Sequence, residues 1–361
     1  MRAQAELHGA GTTATASKSS GSGSNPEPSS AESLVRSSVR RLYEKHNLEI
    51  TKDTLPAFSN SDLIDEPETL GAGAFNTVYA VNLEDSSGNS FDGVFKPLRS
   101  EEHGWPAYAS GIPYDDPQTA NRNLATLAYA EQLGMDVIPD TRLGVLSIGQ
   151  ESAKLGLVME RATGTAADSV DPSVFSRGDV TKEVTKLQLL DHLTGQGDRH
   201  GGNYFIDAGS SYSAKVTGID NDQAFGKYLS KPDGTKFMAD KSHYGYRGTG
   251  LPPAVDRKTA SAINALSSDD IRQMLGSKLT GSEVQAAISR HEGVKSHLAD
   301  LSEQGRIIDS RPWWHLGLTA SKWDRSEVQK LFTAENSYFG REREITRAKL
   351  AQHSAQPEAH P

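Results

Sequence analysis

Residues 195–206 read G-Q-G-D-R-H-G-G-N-Y-F-I, and residues 216–226 read V-T-G-I-D-N-D-Q-A-F-G. Asp198 and Asn203 stand five residues apart on a glycine-rich loop, with an apolar run directly behind them. Asp220 follows Asn203 by 17 residues and closes a second apolar run, enough chain for one hairpin to return it beside Asn203. A carboxylate on such a loop takes or orients a hydroxyl proton. An amide oxygen and a second carboxylate suit Mg²⁺, which is held by a few hard oxygen ligands together with phosphates and water. Asp222 reads equally as a further ligand or as a turn residue. Either loop alone is also what an ordinary Gly, Asp and Asn turn looks like, so the weight lies in their order.

Working outward, Val180, Val184, Leu187, Leu190 and Leu193 recur at helical spacing and predict a helix leading into the Asp198 loop. Runs 204–206 and 215–219 predict the two strands of the hairpin. Farther upstream, runs 141–148 and 154–160 predict strands. Residues 121–133, with Leu124, Leu127 and Ala128 on one face and Gly134 behind, predict a helix. Before them, 75–83 and 91–96 predict two antiparallel strands joined through the turn-forming stretch 85–89. Strand, strand, helix, strand, strand is a small α+β unit. Ser29 with Glu32 predicts the start of a first helix carrying Leu34, Val35, Val39 and Leu42 and ending at Asn47. The pairs Ser267 with Asp270, Thr280 with Glu283 and Asp324 with Glu327 predict capped helices in the C-terminal part. Trp313 and Trp314 read as core filling there. The expected fold class is α+β, a small β-rich N-terminal lobe followed by a mainly helical C-terminal lobe. Its expected parts are a disordered tail over 1–30, a helical extension over 31–60, lobes over 61–160 and 161–350, and a flexible tail over 351–361.

Two further features sit where a nucleotide would need them. Residues 70–79 read L-G-A-G-A-F-N-T-V-Y, which predicts Gly71 and Gly73 in a turn between strands, where backbone N–H groups approach phosphates that a Cβ would obstruct. No Gly-Lys-Ser/Thr follows, so this is not a Walker A loop. Lys96 comes 25 residues after Gly71, at the end of the strand F-D-G-V-F-K, and strand alternation puts it on the face of Val94, opposite Phe95.

Composition excludes several classes. The chain has 361 residues with 38 Lys plus Arg against 47 Asp plus Glu, a net charge of −9, which argues against nucleic acid as a partner. Cysteine is absent, which removes disulfides, thiolate nucleophiles and Cys-ligated zinc. His103, His192 and His200 lack metal-ligand spacing. No window approaches the roughly 18 apolar residues of a membrane-spanning helix.

G-D-R-H-G-G-N followed by I-D-N-D-x-A-F-G resembles the kinase superfamily, in the atypical branch that includes phosphatidylinositol 3-/4-kinases and related bacterial effector kinases. There the catalytic loop reads D-R-H-x-x-N rather than H-R-D-x-x-x-x-N. The strand ending F-K-P is similar to that branch too, and the resemblance covers about residues 70–226. It implies a two-lobed kinase-like fold using ATP and Mg²⁺, with Asp198 as catalytic base and Lys96 holding the phosphates. It further implies Asn203 and Asp220 as metal ligands, Gly71 and Gly73 over the phosphates, and backbone from Met159 through Glu160 to Arg161 meeting adenine. His200 within D-R-H reads first as structural support, with assisting the transfer or orienting Asp198 as the catalytic alternative. Asn76 replaces the third loop glycine. The resemblance also implies a glutamate facing Lys96 from helix 121–133. Asn123 stands at the aligned position and Glu131 one to two turns later, so that partner is open between Glu131 and none.

The expected function is transfer of the γ-phosphate of ATP to a protein hydroxyl, Ser or Thr ahead of Tyr. An inositol lipid or inositol phosphate acceptor is the alternative, prompted by Lys227, Lys231, Lys236 and Lys241; a partner-binding pseudokinase is another. The polar, Ser-rich residues 1–30 lack a cationic start and apolar core. They read as a non-Sec export tail of a bacterial effector protein, secreted into a host cytoplasm as part of virulence, or else as the floppy end of a protein working in the bacterial cytoplasm.

Overall fold

The structure, a computed structural model, describes residues 37–72, 77–84, 87–99, 110–209, 213–228, 249–309, 322–333 and 335–340. Its N-terminal part is a six-stranded sheet of β1 (Phe58–Ser59), β2 (Glu68–Ala72), β3 (Thr77–Glu84), β4 (Ser90–Pro97), β5 (Thr141–Leu146) and β6 (Lys154–Glu160), in the order β1-β5-β6-β4-β3-β2. Only β1 and β5 run parallel; the other neighbours are antiparallel. Period-two alternation sends β6 side chains to two cores. Leu155, Leu157 and Met159 join Tyr43, Leu48 and Ile50 on one face, while Val158 joins Phe58, Leu83 and Phe95 on the other. Gly156 is required here, because a Cβ would come within 2.3 Å of the Phe95 ring.

The described residues 37–60 of the expected extension 31–60 pack with this sheet. Helix α1 (Ser37–Lys45) packs Tyr43 on the sheet and β1 pairs with β5. The predicted start of that helix lies outside the described residues, as do Gly73, Asn76, His103, Lys231, Lys236, Lys241, Trp313 and Trp314.

Helix α2 (Thr119–Gln132) follows β4; its Ala120 packs on the sheet, while Ala125, Tyr129 and Ala130, with Leu133 just past its end, are buried in the large C-terminal core. That core is built around α3 (Gly178–Thr194), whose Val180, Val184, Leu187 and Leu190 are all buried, and around α4 (Arg257–Ala265), α5 (Ser268–Leu275) and α6 (Gly281–Glu303). The expected α+β class, with a sheet-based N-terminal region and a helical C-terminal part, is what the chain adopts.

Ser267 and Thr280 cap α5 and α6 through the predicted boxes. Asp324 does not. The cap of α7 (Ser326–Gln329) is Arg325, and Asp324 instead accepts the Gly178 N–H at 2.7 Å, serving the first residue of α3. A small sheet of β7 (Thr165–Ala166), β8 (Tyr204–Asp207) and β9 (Lys215–Gly218) completes the cleft side, with β10 (Val255–Asp256) and β11 (Ile307–Ile308) paired elsewhere.

Candidate active site

Helix α3 ends at Gly195, left-handed at φ 65°, which turns the chain into the Asp198 loop. The β8–β9 hairpin then sets register, with Tyr204 opposite Gly218, and the Ile219 N–H donates to the Asn203 carbonyl at 2.9 Å. Asp220 is thereby one residue past a direct backbone bond to Asn203, as the spacing predicted. Across the cleft, β4 delivers Lys96, whose ammonium bonds Asp220 and, at 2.9 Å, Asp222. Burial works against the Lys96 charge, but the two carboxylates outweigh it and hold the ammonium above the ordinary lysine value. Asp220 answers in kind: burial pushes its carboxyl up, and Lys96 overrides this and holds it below the usual range.

The base candidate is held by amides. Gln196 accepts the Asp198 N–H at 2.9 Å and donates to the Asp220 carbonyl at 3.0 Å, and Gln223 donates to Asp198 Oδ2 at 3.0 Å. Asn203 donates its Nδ2 to the Asp198 carbonyl at 3.0 Å, which commits the amide nitrogen and leaves Oδ1 as the atom that could meet a cation. His200 accepts the Gly202 N–H at Nδ1, 3.2 Å, which assigns its proton to Nε2. Burial lowers its basicity, with Asp220 opposing, so the ring is neutral at neutral pH.

Beneath these lies Arg199, which sequence reasoning passed over. Its five N–H groups are all used: Nε and Nη2 on the two Asp191 oxygens, Nη1 on the carbonyls of Asn203 and Ile219, and Nη2 also on Asn221 Oδ1. One guanidinium thus ties the Asp198 loop, the hairpin and the segment after Ile219 to α3. A signal existed, since Asp191 interrupts the apolar run L-Q-L-L-D-H-L on a buried helix and had to find a cation. The segment from Asp220 to Phe225 is strained at both ends, with φ of 58° and 63° at non-glycine residues. Phe225 is kept there by its N–H on the Thr194 carbonyl at 2.7 Å and by Arg290 over its ring at 5.9 Å.

Other expected residues fall as follows. Gly71 is a β2 strand residue beside a register shift rather than part of a turn, and a Cβ there would meet no atom within 4 Å among the described residues. Met159 lies inside β6, paired with Val94 and Thr141. The N–H groups of Glu160 and Arg161 donate to the carbonyls of Asp140 and Asp92, so they are spent within the protein rather than left for adenine. Glu131 is exposed and makes no bond to Lys96; Asn123 is buried and donates to the Thr119 carbonyl at 2.8 Å. His192 is structural, its Nε2 at 3.0 Å from the Gly250 carbonyl. Lys227 lies over the Tyr228 ring at 5.3 Å. No helix among the described residues is long and apolar enough to cross a membrane.

No protein-family model matches this sequence, and no curated protein is similar to it. Among solved structures, a crystal structure of the Golgi casein kinase is similar with a TM-score of 0.43 and 12% identity, covering 68% of this chain and 75% of that one. A crystal structure of the Golgi casein kinase with Mn/ADP bound is similar at 0.43 and 14% identity, covering 68% and 74%.

Proposed function

We propose that this chain is an ATP-dependent phosphotransferase that moves the γ-phosphate to a protein hydroxyl, Ser or Thr ahead of Tyr. The observation that carries the reading is the meeting of Lys96 from β4 with Asp220 and Asp222, one hairpin away from Asn203 and the amide-held Asp198. Asp198 would accept the acceptor's hydroxyl proton as the oxygen–phosphorus bond forms and the bond to the departing ADP oxygen breaks. Lys96 would hold the phosphates. Asn203 and Asp220 are hard oxygen donors of the kind Mg²⁺ takes, and they would hold it. When bound, the cation supplies neutralisation of the charge on the transferring group. His200, neutral and turned back on its own loop, would orient Asp198's segment.

The basic stretch 227–241 makes an inositol phosphate or lipid a second acceptor to include in the assay. We also propose that the protein works in a host cytoplasm after non-Sec export, supported by the polar composition of residues 1–30; a translocation reporter fused to them tests this.

The central test is γ-phosphate transfer by purified protein to lysate proteins and to phosphoinositides. Asp198→Asn and Asp220→Asn are each expected to lower the rate by about 10²–10³-fold, as loss of transition-state charge stabilisation does. Wild-type rates in either variant would sink the reading.

A further inference from the structure

Lys96 is an ammonium with a side chain only 13% exposed, and two carboxylates share it. A charge so placed requires an anion that stays with it, since an unpaired buried charge is strongly unfavourable. If Asp220 turns to a divalent cation, as the proposed function has it, one protein anion remains on Lys96 among the described residues. Helix α2 supplies none. It passes beside the ammonium, lining the same cavity with Thr119 and Asn123, but its single acid, Glu131, is exposed and makes no bond to Lys96.

We propose that Asp222 is the positioning residue that holds Lys96 in the cleft, so that the ammonium is aligned by the metal loop and not by helix α2. Asp222 is buried in the helical turn Asn221–Gln223, and that turn is fastened on every side. Asn221 accepts from Arg199 at 2.6 Å, the Gln223 carbonyl accepts the Gly197 N–H at 3.1 Å, and the Ala224 carbonyl accepts from Arg122 at 2.8 Å. Arg122 in turn forms a buried ion pair with Glu283 at the start of α6, at 2.5 Å. Lys96 is therefore referenced to the C-terminal core through Asp222. Helix α2, locked to the same core by Arg122 and by Tyr129 bonding His291 at 2.8 Å, has no ion pair with Lys96 to make or break.

The inference rests on the proposed nucleotide site, and three variants test it: Asp222→Asn, Asn123→Glu and the double substitution. Binding of a fluorescent ATP analogue is measured in EDTA and in Mg²⁺, with thermal melting as a folding control. Asp222→Asn is expected to weaken binding about tenfold or more in both conditions, and Asn123→Glu in the same chain to recover most of the loss by offering a carboxylate from across the cavity. A loss seen only with Mg²⁺ would make Asp222 a cation ligand and overturn the proposal. A loss that Asn123→Glu leaves untouched would overturn it as well. Acylation of Lys96, followed by peptide mass spectrometry without nucleotide, separates this from the function itself. Asp222→Asn is expected to raise the labelling rate at least about threefold by releasing the ammonium, and an unchanged rate would overturn the proposal. Wild-type protein that binds no nucleotide yet shows the labelling change would refute the function and leave Asp222 in its role.

Discussion

Arg199 and Lys96 both bring positive charge to the segment around Asp220, yet one is saturated and the other shared. Arg199 is 1% exposed against Asp191 at 2%, and each of its five N–H groups meets a fixed acceptor. Lys96 gives one N–H to Asp220, a carboxylate that is 36% exposed, and Asp222 holds a second. A saturated, dry cation is scaffold. A cation held between carboxylates at the edge of solvent is exchangeable, which is what phosphate binding requires.

The difference is broken most directly by removing each charge. Arg199→Met leaves Asp191, Asn221 and two carbonyls buried without their donor, and is expected to destabilise the fold by about 3–5 kcal/mol. Lys96→Met is expected to cost less, about 1–2 kcal/mol, because Asp220 is partly solvated and only Asp222 is left buried without this cation. Urea unfolding followed by tryptophan fluorescence measures both; equal losses would show that the two cations are of one kind.

A third buried cation sharpens the scale. Burial alone pushes the Glu283 carboxyl up, but Arg122 and the Thr280 bonds outweigh it and hold it below the usual range in the folded protein. A folded value below the unfolded one means that this stabilisation is present above about pH 4.3 and lost as pH falls through the folded value. Glu283→Gln is therefore expected to cost about 3 kcal/mol at pH 7, with the gap from wild type narrowing between pH 5 and pH 3. A gap independent of pH would mean that the ion pair contributes nothing beyond shape.

These contrasts also mark how far local pattern reaches. The α3 periodicity, the strands 154–160 and 204–207 and the return of Asp220 beside Asn203 were legible, because each depends on spacing within about twenty residues. Arg122 with Glu283, 161 residues apart, was not, since nothing local distinguishes a helix arginine that will be buried from one that will be solvated. The same holds for Asp324, whose spacing to Glu327 fits a capping box while the neighbouring N-terminus of α3 competes for its carboxylate and wins. Two-residue strands such as β1 fall below any periodic signal. For Lys96 the resemblance implies an acid on α2, whereas the anion comes from the loop two residues past Asp220.

The smallest expected effect is the most telling for that loop. Asp220 carries a left-handed φ of 58°, a conformation that disfavours a residue with a Cβ by roughly 1–2 kcal/mol and glycine hardly at all. Asp220→Gly relieves that strain and loses a partly exposed ion pair worth up to about 1 kcal/mol, so the two changes nearly offset. The variant is expected to unfold within about 1 kcal/mol of wild type while transferring no measurable phosphate. A stable, inactive protein would show that the strain at Asp220 is maintained for its carboxylate and not for the fold. A drop as large as that of Arg199→Met would place Asp220 with the scaffold instead and erase the distinction between the two cations.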